Sequence, residues 1–240
     1  MVEPATLAKR TASWTVARES GRDELRGYAV ISLPFTSGHV LCLRCWPASS
    51  FGPGYQSVWH CAPDGDWTVY HSVAPELSCP RFVGAAISRA VQTPIDVEWT
   101  GPRRLQVRVE EAQLVWEMEL GATPVTRTMN ALMSLVPAAF FRSNALLSLM
   151  SAMSTVMFSA GRFAMRGTFP NHQWFQVAPR KVWMVVASAA SFGERDLGPI
   201  GPLAAQPSVG DVPLPQRGVF MVGGVDTEAY TPSRHLPAIG

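Results

Sequence analysis

From residue 120 to 193 this 240-residue chain has no Asp or Glu, so nearly a third of it offers no carboxylate for a hard metal ion, for acid–base work or for pairing with its own cations. Six cations fall there, Arg127, Arg142, Arg162, Arg166, Arg180 and Lys181, with seven of the ten methionines. Thioether side chains adapt to irregular apolar shapes and guanidinium groups hold anions, so the segment suits an apolar or anionic partner. Lysine is scarce too: of 20 basic residues only Lys9 and Lys181 are lysines. Fixed, bidentate contacts are thereby favoured over mobile point charges. A net charge of +2 with no Lys/Arg-rich run gives a nucleic-acid backbone nothing to follow, and no nucleic-acid partner is expected.

The first 26 residues contain no apolar run of the secretory kind, from which a cytoplasmic location is expected. Cysteine is limited to Cys42, Cys45, Cys61 and Cys79, with one CxxC and no second pair to complete a four-thiolate zinc site. Strand positions three apart face opposite ways, so Cys42 and Cys45 are not expected to share a metal; the four are expected as buried free thiols. The sequence contains no GxSxG elbow, no GxxxxGK[ST] loop, no HExxH helix and no GxGxxG after a strand. No cofactor and no metal is therefore expected.

What is present is strand patterning. Hydrophobic content of 47% suffices for one large core, read as a single domain with an extension over 1–25, a helical insert at 126–160 and a loose tail over 225–240. Residues 27–35 and 39–46 are apolar and β-branched or aromatic, with Thr36-Ser37-Gly38 between them as hairpin chemistry. Residues 55–61 and 67–73 flank Pro63-Asp64-Gly65-Asp66, where Asp-Gly predicts a two-residue type I′ turn. Residues 95–99, 105–109 and 114–120 alternate with period two, which puts Asp96, Glu98, Glu117 and Glu119 on a wet face in reach of Arg108. Residues 181–188 read as a buried strand and 218–223 as the last one.

In the middle the period changes. A helix over 127–136 is predicted, ended by Pro137, followed by an amphipathic helix with Leu146, Met150, Met153 and Met157 on one stripe and Asn144, Ser148, Ser151, Thr155 and Ser159 on another. Residues 143–161 are charge-free, but five serines favour a helix on the sheet or over a cavity mouth above a membrane span. Peripheral membrane contact through 126–160 is a further expectation.

Candidate site residues are polar groups within apolar surroundings, whose desolvation needs a hydrogen bond or a ligand to offset it. A two-residue turn places Trp59 opposite Tyr70 and brings His60 and His71 to one face beside Trp67. His60, His71 and the competing Tyr70 are thus the acid–base candidates. Asn171, His172 and Trp174 crowd hydrogen-bonding groups beside an indole, and Arg81 and Arg217 are isolated cations in proline-flanked contexts. With Trp59, Trp67, Met150 and Met153 they make up the substrate-binding candidates; solvent-facing histidines and ordinary turn chemistry are the structural alternatives.

Pro179-Arg180-Lys181 looks like the lysine beside a cation of acetoacetate decarboxylase-like enzymes, a resemblance that implies a Schiff base on Lys181. The Trp-rich strands, with Ser57-Val58-Trp59 and Asp64-Gly65-Asp66-Trp67 in one hairpin, resemble lipocalin-like proteins of the hydroxyneurosporene synthase and tocopherol cyclase type. That resemblance implies binding or rearrangement of prenyl or polyketide-like molecules in secondary metabolism. The expected fold is mainly β, an antiparallel curved sheet or lipocalin-like β-barrel with a helical hairpin at about 126–160. Three roles follow: a cofactor-independent cyclase, isomerase or hydratase acting on an apolar substrate; a carrier for an apolar prenyl, polyketide or fatty-acyl-like ligand; or an interaction module built on the methionine-rich helices.

Overall fold

The computed structural model describes residues 2–17, 21–121, 123–135, 161–162 and 164–239. It is mainly β. Strands β1 (Arg22–Pro34), β2 (Val40–Ser49), β3 (Tyr55–Cys61) and β4 (Trp67–His71) form a meander, and β5 (Arg89–Gln92) joins β4 in parallel. A second meander is made by β6 (Asp96–Trp99), β7 (Arg104–Val109) and β8 (Leu114–Gly121). Two short strands, β9 (Arg166–Thr168) and β11 (Arg195–Asp196), pair with the 19-residue β10 (Trp174–Phe192). A separate ribbon holds β12 (Ser208–Val209) and β13 (Val212–Pro213), and β14 (Val219–Glu228) lies between β1 and β10.

Strand order along the main sheet is β5-β4-β3-β2-β1-β14-β10-β8-β7-β6. Its two edges, β5 and β6, are joined only by Thr93, Pro94 and Ile95. Four Cα steps reach at most about 15 Å, so the sheet curls until its edges nearly meet. Inside the curl, side chains from strands far apart in the order pack together: Val58 from β3, Val107 from β7, Trp116 from β8, Trp183 from β10 and Phe220 from β14. Trp116, Trp183, Phe35 and Phe220 are fully buried there, and the interior is packed with side chains as small barrels are.

Alternation explains the two layers. In β8 Leu114, Trp116, Met118 and Leu120 point inward while Val115 and Glu117 are exposed. The outer faces of β6–β8 are therefore wet. There Arg108 approaches Asp96 at 3.9 Å, whereas Glu119 pairs with Arg104 and Glu117 with Gln106, so the expected common partner serves only one of the acids. The outer faces of β1–β4 and β14 carry a second apolar cluster, roofed by the short helix Pro80–Val83, residues 164–170 and the β12–β13 ribbon. Cys42 belongs to the outer cluster and Cys45 to the inner one, as their spacing requires, and all four cysteines are free and buried.

At the N-terminus the helix Pro4–Arg10 packs Ala8 into the inner core. Helix Pro124–Leu135 opens with Thr123, whose Oγ1 accepts the Thr126 amide at 3.2 Å, and with proline in the first turn, where no amide is missed. Residues 136–160, which carry the rest of the expected helical hairpin, lie outside the described residues. Among the described residues no helix is long and apolar enough to cross a membrane. At the other end β14 runs on to Glu228, and His235 is buried beyond it.

Candidate functional site

Between the outer face of the sheet and its roof is a cavity of about 90 Å³. A single water needs about 10–15 Å³, and drug-sized ligands fill sites of about 300–1,000 Å³. The space is larger than a water needs and smaller than a drug-sized site, on the scale of a compact organic molecule. Its floor is Leu25 and Ile31 of β1, Arg44 and Trp46 of β2, Tyr55 and Trp59 of β3, Phe175 and Val177 of β10, and Met221 and Val225 of β14. Cys79, Phe82, Phe169, Val209 and Leu214 contribute to the roof.

The roof is tied down by polar contacts. Asn171 is fully buried: its amide reaches the Phe82 carbonyl at 3.1 Å, its Nδ2 donates to the Arg81 carbonyl at 2.7 Å, and its carbonyl receives the Leu236 amide at 3.2 Å. Arg81 in turn pairs with Asp23 of β1 at 2.7 Å and stacks over Phe51. These two candidates anchor the roof to the sheet and are not among the cavity-lining residues.

One cation enters the cavity wall. Arg44 is 8% exposed, and its guanidinium donates to the carbonyls of Val30, Leu43 and Ile31 at 2.6, 3.0 and 3.2 Å while lying 4.6 Å from the centre of the Trp59 ring. The Cys42 thiol is a further neutral neighbour. No ion pair among the described residues includes Arg44. Beside it the Tyr55 hydroxyl and the Cys79 sulfur are 3.6 Å apart. Burial pushes both the phenol and the thiol up, so they line the cavity as neutral groups and Cys79 is not a thiolate nucleophile.

Cross-strand register extends this polar spot. Arg44 pairs with Ser57, and Ser57 with His71, giving a row of three buried polar side chains on an otherwise apolar face. Ser57 Oγ accepts the Trp59 indole N–H at 2.9 Å. His71 Nδ1 donates to the Val73 carbonyl at 2.6 Å, which fixes the tautomer and leaves Nε2 with the lone pair. Nε2 is buried without a hydrogen-bond partner among the described residues, and burial lowers the imidazole pKa. A neutral imidazole of this kind has the makings of a base.

The predicted register of this hairpin is corrected by one residue. The Gly65 amide bonds to the Ala62 carbonyl and the Ala62 amide to the Asp66 carbonyl, so the turn is a three-residue loop with Gly65 left-handed at φ +95°. Val58 is therefore opposite Tyr70 and Ser57 opposite His71. A one-residue slip exchanges faces, so His71 faces the outer layer while His60 and Tyr70 face inward, and the two histidines share no face. His60 instead meets His39, and Tyr70 packs at the margin of the inner core.

Of the other candidates, Trp59 lines the cavity and Trp67 supports it edge-on at 6.4 Å, its indole donating to the Ser208 carbonyl. His172 is exposed at φ 76°, Arg217 is exposed, and half-buried Trp174 sits 5.7 Å from the Arg22 guanidinium. Lys181 follows a bulge in β10, donates from Nζ to the Asn130 carbonyl at 2.7 Å and is not part of the cavity lining. Met150 and Met153 lie outside the described residues. Arg44, Tyr55 and Cys79 were not among the sequence candidates. The signal for Arg44 is in Leu41-Cys42-Leu43-Arg44-Cys45-Trp46, a single cation in a strand apolar on both sides.

The fold and site thus define a curled, mainly antiparallel β protein with a recessed apolar cavity on its outer face. No family model and no curated protein matches the chain. Among solved structures, acetoacetate decarboxylase from Legionella pneumophila is similar at 10% identity and a TM-score of 0.34, over 90% of this chain and 85% of that one. A second acetoacetate decarboxylase structure is similar at 7% identity and a TM-score of 0.39, over 91% and 85%.

Proposed function

We propose that this chain binds a compact, largely apolar small molecule in the cavity between the outer face of the sheet and its roof. The observation that carries the reading is a recessed space under the roof, walled by aromatic and aliphatic side chains and holding few convergent polar groups, which is the usual make-up of a small-molecule site. Empty space of this size among close-packed apolar residues costs dispersion contacts, and a ligand restores them. The primary role on this reading is that of a carrier or sensor. Native mass spectrometry of the purified protein tests it: a co-purifying organic molecule that leaves on denaturation is expected, and apo protein that takes up no added small apolar compound contradicts it.

A catalytic reading is favoured by one observation, the bare Nε2 of His71 two strands from Arg44 on the same sheet face, although His71 is not among the cavity-lining residues. It requires ligand binding to perturb that nitrogen. The ¹⁵N shift of His71 Nε2 on saturation with a bound compound separates the two, a carrier leaving it unchanged.

A further inference from the structure

We infer that the ligand is a small apolar carboxylic acid bound as its anion, with Arg44 as the residue that receives the carboxylate; this rests on the cavity being a binding site. Buried cations are as a rule paired, because moving an unpaired charge out of water is expensive. Arg44 is buried, yet its protein neighbours are main-chain carbonyls, an indole face and a thiol, all without net charge. The carbonyls take three of the five N–H donors that a guanidinium carries and fix the plane of the group at the cavity wall. Among the described residues no negative charge stands against it.

Chemistry and space select its kind. A phosphate monoester brings a charge of about −1.5 to −2, which a single guanidinium leaves uncompensated in an apolar enclosure. A carboxylate matches the one positive charge and the planar fork of Arg44. The neutral Tyr55 hydroxyl stands near as a second donor, and the apolar walls receive a short hydrocarbon body. Because the guanidinium has already lost its water on folding, an arriving carboxylate meets a desolvated partner and gains more from it than from an exposed arginine.

Isothermal calorimetry with hexanoate and hexan-1-ol as a matched pair tests the inference on the intact protein. The wild type should bind hexanoate about tenfold more tightly than the alcohol, the ratio expected of one charge-assisted interaction. Arg44→Met should abolish that preference while keeping hexan-1-ol binding. Arg44→Lys, which keeps the charge but not the fork, should reduce it and serves if the Met variant does not fold. Equal affinities in the wild type, or a preference for the alcohol, overturn the carboxylate assignment and leave the cavity reading standing. Absence of binding by both compounds overturns the cavity reading itself, and this inference with it.

Discussion

His39 Nδ1 and His60 Nε2 face each other at 2.9 Å at the ends of β2 and β3, with their ring planes 21° apart and Phe192 against both. One ring must donate and the other accept, so the contact requires at least one neutral imidazole. Burial, reinforced by the charge His39 would carry, lowers His60 from 6.5 to about 4. His39 is lowered as well, by burial and then by Arg195.

Between pH 6.5 and 4 the unfolded chain binds more protons than the folded one, so stability is full above this window and falls as pH drops through it. By pH 4 His60 alone should remove up to about 3 kcal/mol. Thermal midpoints measured across the window should decline, and His60→Gln should flatten much of the decline, a remainder coming from His39 and His71. A level wild-type profile would contradict the pairing.

A second expectation concerns the place where β8 ends and β10 continues. Asn130 replaces the missing strand there: its Nδ2 donates to the Val182 carbonyl and its Oδ1 accepts the Val182 amide, both at 2.8 Å. Asn130→Leu should destabilise by about 2–3 kcal/mol, since two buried main-chain groups lose partners. Urea midpoints measure this, and faster hydrogen exchange at the Val182 amide localises it. Unchanged stability and exchange would show that the strand end does not depend on Asn130.

The hairpin at Gly65 gives a third. A Cβ added there meets nothing within 4 Å, so only the backbone at φ +95° resists substitution. Gly65→Val should cost about 1–2 kcal/mol and Gly65→Asn less, because Asn tolerates the left-handed region. Equal thermal midpoints for the two variants would remove the conformational explanation.

This hairpin also shows where the sequence stopped being legible. Strand positions were readable because alternation is local: residues 95–99, 105–109 and 114–120 coincide closely with β6, β7 and β8. Turn length was not, because Pro63-Asp64-Gly65 serves equally in a two- or three-residue loop, and one residue decides whether His71 shares a face with His60 or with Arg44. Arg44 escaped notice because β2 is buried on both faces, so its period carries no label for inside or outside. The location of the cavity depends on which loops cover the outer face, an arrangement that brings residues 79–83, 164–170 and 209–214 together and leaves no trace in local pattern.

On the proposed reading the ligand space lies outside the curled sheet and not within it. A crystal structure of the protein soaked with hexan-1-ol tests this most directly. Density for the alcohol is expected against Trp46, Phe82, Phe175 and Met221, with the Trp116–Trp183 interior unchanged. Density inside the curl beside Trp116 and Trp183, with the outer cavity empty, would contradict it.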